Sequence, residues 1–313
     1  MDSVLIIGFG GPTDPKMIRP FLDNVLRGRP VPKERYEQVV RQYELIGGSS
    51  PYNENTFRQA KALSEQLNQN GTSATVYVGF RNWDPTMKDT LQKMADEGRR
   101  SAVGFILAAH RSEASLGRYK QEIEEAQQEV GADAPVVTYT KAWYNHPLFL
   151  DAAADRVREV LPAGGKEAAG RAALICTAHS SPQSLADRSP YVEDIRASAE
   201  GVAARLGITD WSLAYQSRSG NPRDPWLEPD INDRIRQKAE EGYQQVVIVP
   251  IGFLSDHVEV LFDLDHQAQN TAQEAGMKFL RAPTVGDHPQ FIEMMAELVR
   301  ETSAGGKKEA SRS

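Results

Sequence analysis

A doubly wound α/β architecture is predicted for this chain: two similar lobes, each a parallel four-stranded sheet flanked by helices, facing across a cleft. Three observations carry that expectation. Short β-branched runs alternate with amphipathic segments of helical period, the pattern of repeated strand–helix–strand units. The strand runs are continuously apolar rather than alternating, as strands buried on both faces must be. The second half of the chain also repeats the order of the first.

Residues 4–10 form the first candidate strand, and helical periodicity follows over 34–45 and 56–67. Strands at 75–80, 103–109 and 136–140, with a helix at 86–97, complete the first lobe. Leu161-Pro162-Ala163-Gly164-Gly165-Lys166 is polar and glycine-rich, as a linker should be. Strands at 172–178, 212–216, 246–253 and 279–282 then build the second lobe, with a helix at 230–241. Leu5 to Pro12 opens the first half much as Leu174 to Pro182 opens the second. Phe105 to His110 likewise corresponds to Val247 to Phe253 with the Asp256-His257 turn. The domains are therefore set at 1–150 and 151–302, with a helix at 289–301 that crosses back to the first lobe. Residues 303–313 are low in apolar content and are expected to form a disordered tail.

Composition excludes several function classes. The 313 residues carry a net charge of −7, which argues against a nucleic-acid surface. The single cysteine, Cys176, falls in a candidate strand, so no disulfide framework, zinc ribbon or cysteine-ligated iron–sulfur cluster can form within this chain. No signal peptide is read at the N-terminus, and no apolar run nears the roughly 20 residues needed to span a bilayer. A cytoplasmic location is expected.

Chemistry concentrates at two strand ends. Cys176-Thr177-Ala178-His179-Ser180-Ser181-Pro182 places an imidazole where a strand gives way to a loop, the position at which open α/β sheets bind ligands. A neutral histidine there can accept a proton or bind a metal, and activity that needs it neutral would fall as pH drops through about 6.5. A plainer reading satisfies the ring with a backbone carbonyl. Asp256-His257-Val258-Glu259 and Asp263 follow the strand at 246–253. Here Asp256 can be an N-cap with Glu259 at the third helical position, a capping-box variant. Alternatively, Glu259 and Asp263 share one helix face and repel unless a cation or proton passes along them.

Three glycines, Gly8, Gly10 and Gly11, suggest a nucleotide-binding turn, but Thr13 occupies the third glycine position and Pro12 lacks a donor, so dinucleotide binding is not expected. Close approach of the backbone to a flat ligand would use the same glycines. Loops around Arg27-Gly28-Arg29, Gly47-Gly48-Ser49-Ser50-Pro51 and Arg81-Asn82-Trp83-Asp84-Pro85 combine cations, aromatics and turn residues. Each alone is an ordinary solvated turn. Together they could hold a large planar anion.

These pieces, with Leu107-Ala108-Ala109-His110, Gln216-Ser217 and Asp224-Pro225-Trp226-Leu227, occur in the order found in ferrochelatases. From Leu5 to about Val299 the chain resembles that family, most of all its actinobacterial-type branch, which works on coproporphyrin III in haem biosynthesis. The resemblance implies an enzyme that inserts Fe²⁺ into a porphyrin. It makes His179 and Glu259 the catalytic and metal-contacting residues, with Asp263 as an accessory acid path. It assigns Ser50, Tyr119, Phe9, Arg27, Trp83, His110 and Trp226 to porphyrin binding. Fe²⁺ is then a substrate, with no tightly bound cofactor. Partners are limited to the two substrates, with transient contacts to neighbouring haem-pathway enzymes, and the protein is expected to be a monomer.

The chain departs from the family pattern in three places. Phe9 stands where some coproporphyrin enzymes carry a tyrosine that binds product iron. Gln267 replaces an acid at the far end of the carboxylate ladder, which puts a second metal site in doubt. The cysteines that hold a [2Fe–2S] cluster in some relatives are absent. The stretch from Met17 to Tyr43, matching the pocket lip, is polar and suits a four-carboxylate ring better than protoporphyrin IX. Three alternatives remain: a protoporphyrin IX ferrochelatase, a sirohydrochlorin-type chelatase, and a non-catalytic haem-binding protein. Sirohydrochlorin-type enzymes usually pair histidines, so Glu259 weighs against that reading.

Overall fold

The computed structural model describes residues 3–69, 74–161, 172–219 and 223–310. Two compact units emerge, Met1–Ala109 with Ala114–Ala142 and Asp287–Ser313, and His110–Glu113 with Trp143–Gly286. Of the linker stretch, residues 162–166 lie outside the described residues.

The first unit is built on strands β1 (Ser3–Gly8), β2 (Thr75–Phe80), β3 (Ser101–Ile106) and β4 (Val136–Tyr139), in the order β2-β1-β3-β4. The second uses β5 (Ala173–His179), β6 (Trp211–Gln216), β7 (Gln245–Val249) and β8 (Lys278–Arg281), in the order β6-β5-β7-β8. All pairings are parallel, and the two orders are the same permutation. The internal likeness read from the sequence is thus a repeat of topology. The central strands β1 and β5 are buried throughout their apolar lengths, which is why both read as unbroken hydrophobic runs.

Strands β3 and β7 stop several residues earlier than their apolar runs suggest, and for the same reason. In each, a tight turn diverts the chain: Ala108 N–H bonds Ile106 O at 2.8 Å, and Ile251 N–H bonds Val249 O at 2.8 Å. The residues beyond stay apolar because they fold back under the sheet ends, where Ala109, Ile251 and Phe253 are buried. β1 also ends early, since Gly10 adopts φ +87°, a conformation that leaves the strand region.

Helices cover the sheets with apolar stripes. Leu91 and Met94 of the helix Met87–Asp96 and Ile123 of Arg118–Val130 pack on Leu5 and Ile7. Ile231 and Ile235 of Ile231–Glu240 pack on Ile175 and Ile248. Each such side chain contributes about 1.5–3 kcal/mol on burial. Asp230 caps its helix by accepting from Asn232 N–H at 2.8 Å. The last helix, Pro289–Ala310, belongs to the first unit and is tied to Tyr52–Gln69, where Arg300 donates to Gln66 O at 3.2 Å. It runs into the segment expected as a tail, because low apolar content does not prevent a good helix former such as Ala304 from extending a packed helix. Among the described residues, no helix is long and apolar enough to cross a membrane.

Candidate functional site

His179 is the last residue of β5, opposite Gln216 of β6. Its backbone is fixed on several sides. Ser180 N–H extends the ladder to Gln216 O at 2.7 Å, and the Tyr191 hydroxyl donates to His179 O at 3.0 Å. Gly252 lies so close that a Cβ there would sit 2.7 Å from Ala178 Cα. The ring's Nδ1 bonds the Ser180 carbonyl, which can only accept, so Nδ1 carries hydrogen and Nε2 is left for chemistry. Both sequence readings of this residue therefore hold together: one nitrogen is satisfied by backbone, the other is not.

Nε2 meets Glu259 Oε1 at 3.3 Å, with the two side chains 38% and 36% exposed. Glu259 arrives from the turn after β7 on a single helical turn, Val258–Leu261. His257 caps that turn, its Nδ1 accepting from Glu259 N–H at 3.1 Å, while its ring stands edge-on to Phe253 at 5.0 Å. Gln216 Nε2 donates to the Glu259 carbonyl, and the Ser217 hydroxyl donates to the Asp263 carboxylate. Ser217 holds φ 62°, a left-handed conformation unusual for a residue with a Cβ. Asp263 opens a π-helix, Asp263–Ala268, in which Gln267 N–H reaches back to Phe262 O at 2.9 Å.

The capping-box reading of Glu259 is overturned. His257, not Asp256, is the N-cap, and Glu259 follows it two residues on, with its carboxylate turned to His179. Asp256 is unavailable because Arg281 and Thr284 take its carboxylate.

Electrostatics ties the two partners together. Burial alone would depress the His179 imidazole. The Glu259 charge and hydrogen bond, then the Ser180 carbonyl and the Asp263 charge, outweigh it and raise the pKa. Burial likewise works to raise Glu259, but His179 and then His257 hold it below the ordinary carboxylate range. Each partner thus favours the charged form of the other, so the pair holds a proton more firmly than a lone imidazole would. His257 moves the opposite way, its pKa lowered chiefly by burial, as an accepting Nδ1 requires.

Among the described residues, no three His, Cys, Asp or Glu side chains converge to hold a metal ion. The site offers two donor atoms, Nε2 and Oε1, with Asp263 beside them. Such sparse ligation suits a metal that must be handed on. Gln267 is exposed on the π-helix.

The other expected residues fall in several places. In the first unit, Phe9 and Trp83 both stack edge-on against Phe21, at 6.2 and 6.0 Å. Arg27 and Trp83 line a concavity of about 400 Å³ with Arg81. Ser50 is buried against the glycine loop, its N–H bonding Pro12 O at 2.7 Å. A Cβ on Gly11 would come within 2.8 Å of Ser50 Cβ, and one on Gly10 within 2.8 Å of Trp83 Cβ. Gly10 and Gly11 thus make room for neighbouring protein side chains. Tyr119 is 6% exposed and sits in the apolar core of its unit.

His110 is 3% exposed inside the second unit, with Nε2 3.0 Å from Ser198 Oγ. Trp226, in the second unit, is half-buried, and its Nε1 has no acceptor among the described residues. Sequence reasoning overlooked Tyr191 and Arg281. Arg281 could have been found, since it closes a strand whose carboxyl end faces the acid-rich turn.

The model of the ferrochelatase family matches residues 1–303 of this chain. The chain belongs to the ferrochelatase family. Ferrochelatase of Rhodopirellula baltica is 42% identical over 301 residues, covering 96% of this chain and 86% of that protein. Coproporphyrin III ferrochelatase of Nocardia farcinica is 39% identical over 309 residues, covering 96% and 88%. Among solved structures, the sirohydrochlorin chelatase of Bacillus subtilis subspecies spizizenii in complex with cobalt aligns with a TM-score of 0.58 at 13% identity, covering 98% of both chains. That likeness concerns the fold: two parallel four-stranded sheets flanked by helices. Ferrochelatase membership supplies the reaction, insertion of iron into a porphyrin.

Proposed function

We propose that this enzyme inserts Fe²⁺ into coproporphyrin III, with His179 and Glu259 as the groups that receive metal and protons. The carrying observation is the 3.3 Å approach of His179 Nε2 to Glu259 Oε1 at the end of β5. Metalation exchanges Fe²⁺ for the two pyrrole N–H protons. A site that already shares one proton between an imidazole and a carboxylate can release it when Fe²⁺ takes those two atoms. Once the metal passes to the ring, the vacated pair accepts pyrrole protons, and Asp263, in contact with Ser217, offers the next carboxylate outward.

The substrate assignment rests on the first unit and on the relatives' names. Helices Ile18–Leu26 and Lys33–Leu45 present charge, with Arg19 bidentate to Glu37 at 2.8 Å and Tyr36 bonded to Asp23 at 3.0 Å. Arg27, Arg81 and Trp83 put guanidinium and indole groups on one concavity. Arg27 is held by Glu122 at 2.7 Å, and the concavity also carries Asp23, Asp84, Glu125 and Glu129. A substrate carboxylate would have to displace Glu122 to reach that guanidinium, so the relatives' names carry most of the substrate assignment. Phe9 supplies no phenolate, so product iron receives no ligand from that position. The deciding experiment is anaerobic metalation of coproporphyrin III and protoporphyrin IX side by side. The expected result is faster Fe²⁺ insertion into coproporphyrin III. Equal or reversed preference would overturn the substrate, and no insertion into either would overturn the reaction.

A further inference from the structure

We infer that Arg281 is a positioning residue for the metal site: its guanidinium fastens both ends of the segment that carries Glu259 and Asp263. The inference rests on the proposed role of His179 and Glu259 and adds a residue that touches neither substrate. Arg281 closes β8 and is 14% exposed at its side chain. Nε and one terminal nitrogen grip Asp265 at 2.7 and 2.6 Å. The terminal nitrogens also reach Asp256 at 3.1 and 3.3 Å, and Thr284 Oγ1 donates to the same carboxylate at 3.1 Å.

The placement of those two carboxylates gives the fork its role. Asp256 directly precedes the cap His257, three residues before Glu259, and Asp265 lies in the π-helix two residues after Asp263. The intervening chain makes only one turn of helix before widening into π geometry, so its own hydrogen bonds fix it poorly. From the β6 side, Gln216 and Ser217 hold Glu259 by its carbonyl and Asp263 by its carboxylate. Arg281 supplies the opposing grip. Without it, Asp256 and Asp265 become like charges drawn together with no cation between them, and the segment must spread.

A guanidinium can serve both carboxylates through a planar fork, whereas an ammonium is a single point charge. Arg281→Lys therefore separates charge from geometry. Co²⁺ without porphyrin is the probe, read by its visible absorption, with His179→Ala as the blank. Arg205→Met is the control, since it removes an ion pair to Asp151 on the helical face of the same unit. Arg281→Lys is expected to melt near the wild type yet bind Co²⁺ at least fivefold more weakly, and Asp265→Asn to weaken it similarly. Arg205→Met should leave Co²⁺ affinity unchanged. The inference is overturned if Arg281→Lys binds Co²⁺ like the wild type, if Arg205→Met weakens binding equally, or if the wild type binds no Co²⁺. Should Arg281→Lys not fold, Asp265→Asn decides by the same criterion. Metalation of coproporphyrin III measured alongside keeps the readings apart: weakened Co²⁺ binding with no wild-type metalation would retain the clamp and reject the reaction.

Discussion

His179 Nε2 and Glu259 Oε1 stand 3.3 Å apart although 80 residues (259 − 179) separate them in sequence, each placed by a different strand end of one parallel sheet. β5 delivers the imidazole and the turn after β7 delivers the carboxylate, and the two strands are direct neighbours. Nδ1 is bonded to the Ser180 carbonyl, so the pair has one defined orientation and one shared proton.

Removing the imidazole should abolish metalation and leave the fold. His179→Ala is expected to cost the ~1 kcal/mol typical of point substitutions, because the residue ends a strand instead of filling the core. Turnover above a tenth of wild type would remove His179 from the mechanism.

The backbone under His179 admits no extra atom. In Gly252→Ala the new methyl meets Ala178 Cα and Cβ at 2.7 Å, so the turn after β7 or the end of β5 must move. A loss of about 1–3 kcal/mol in chemical denaturation is expected, as for other overpacked sites. Because Ala178 precedes His179, turnover should fall as well. A variant with unchanged stability and rate would show that the packing is looser than this.

Acid should destabilise the protein partly through His110. Burial depresses its pKa to about 4, against an Asp194 charge that acts in the other direction. The unfolded chain, near the ordinary 6.5, binds the proton first, so stability is full above about 6.5 and is lost as pH falls toward 4. Between pH 7.5 and 5 the loss from this group amounts to about 2 kcal/mol, at about 1.36 kcal/mol per pKa unit. Urea unfolding of His110→Gln should show an acid dependence smaller by that amount. An unchanged dependence would mean that His110 is protonated in the native protein.

Much of this was legible before the structure. The inner strands β1, β3, β5 and β7 were readable because they are buried on both faces and so run continuously apolar. The edge strands β4 and β8 are half-buried or exposed and were marked by their β-branched and aromatic residues. His179, Glu259 and Asp263 were legible because ligand sites in such sheets gather at carboxyl ends of strands. Strand ends were misread where apolar residues continue into turns, as at Ala109 and Phe253, since burial and strand geometry leave the same composition. The cap of the Glu259 turn was misassigned because Asp256 looks like an N-cap locally, and only the distant Arg281 reveals that its carboxylate is taken. The upward pull on the His179 pKa was hidden for a related reason. It depends on a 3.3 Å distance that no spacing in the chain encodes.

The pH dependence of Fe²⁺ insertion in wild type and Glu259→Gln tests the central claim most directly. The Glu259 charge raises the His179 pKa above its usual value, and a protonated imidazole must lose its proton before Fe²⁺ can bind Nε2. Wild-type kcat/KM for Fe²⁺ should therefore rise with pH through an ionisation above about 6.5 and fall off below it. Glu259→Gln removes the charge, so the residual activity should titrate at lower pH, with turnover reduced by at least about 10²-fold. Melting should stay near wild type, and porphyrin affinity within a few-fold. Wild-type turnover in Glu259→Gln, or the same ionisation in both proteins, would contradict the account.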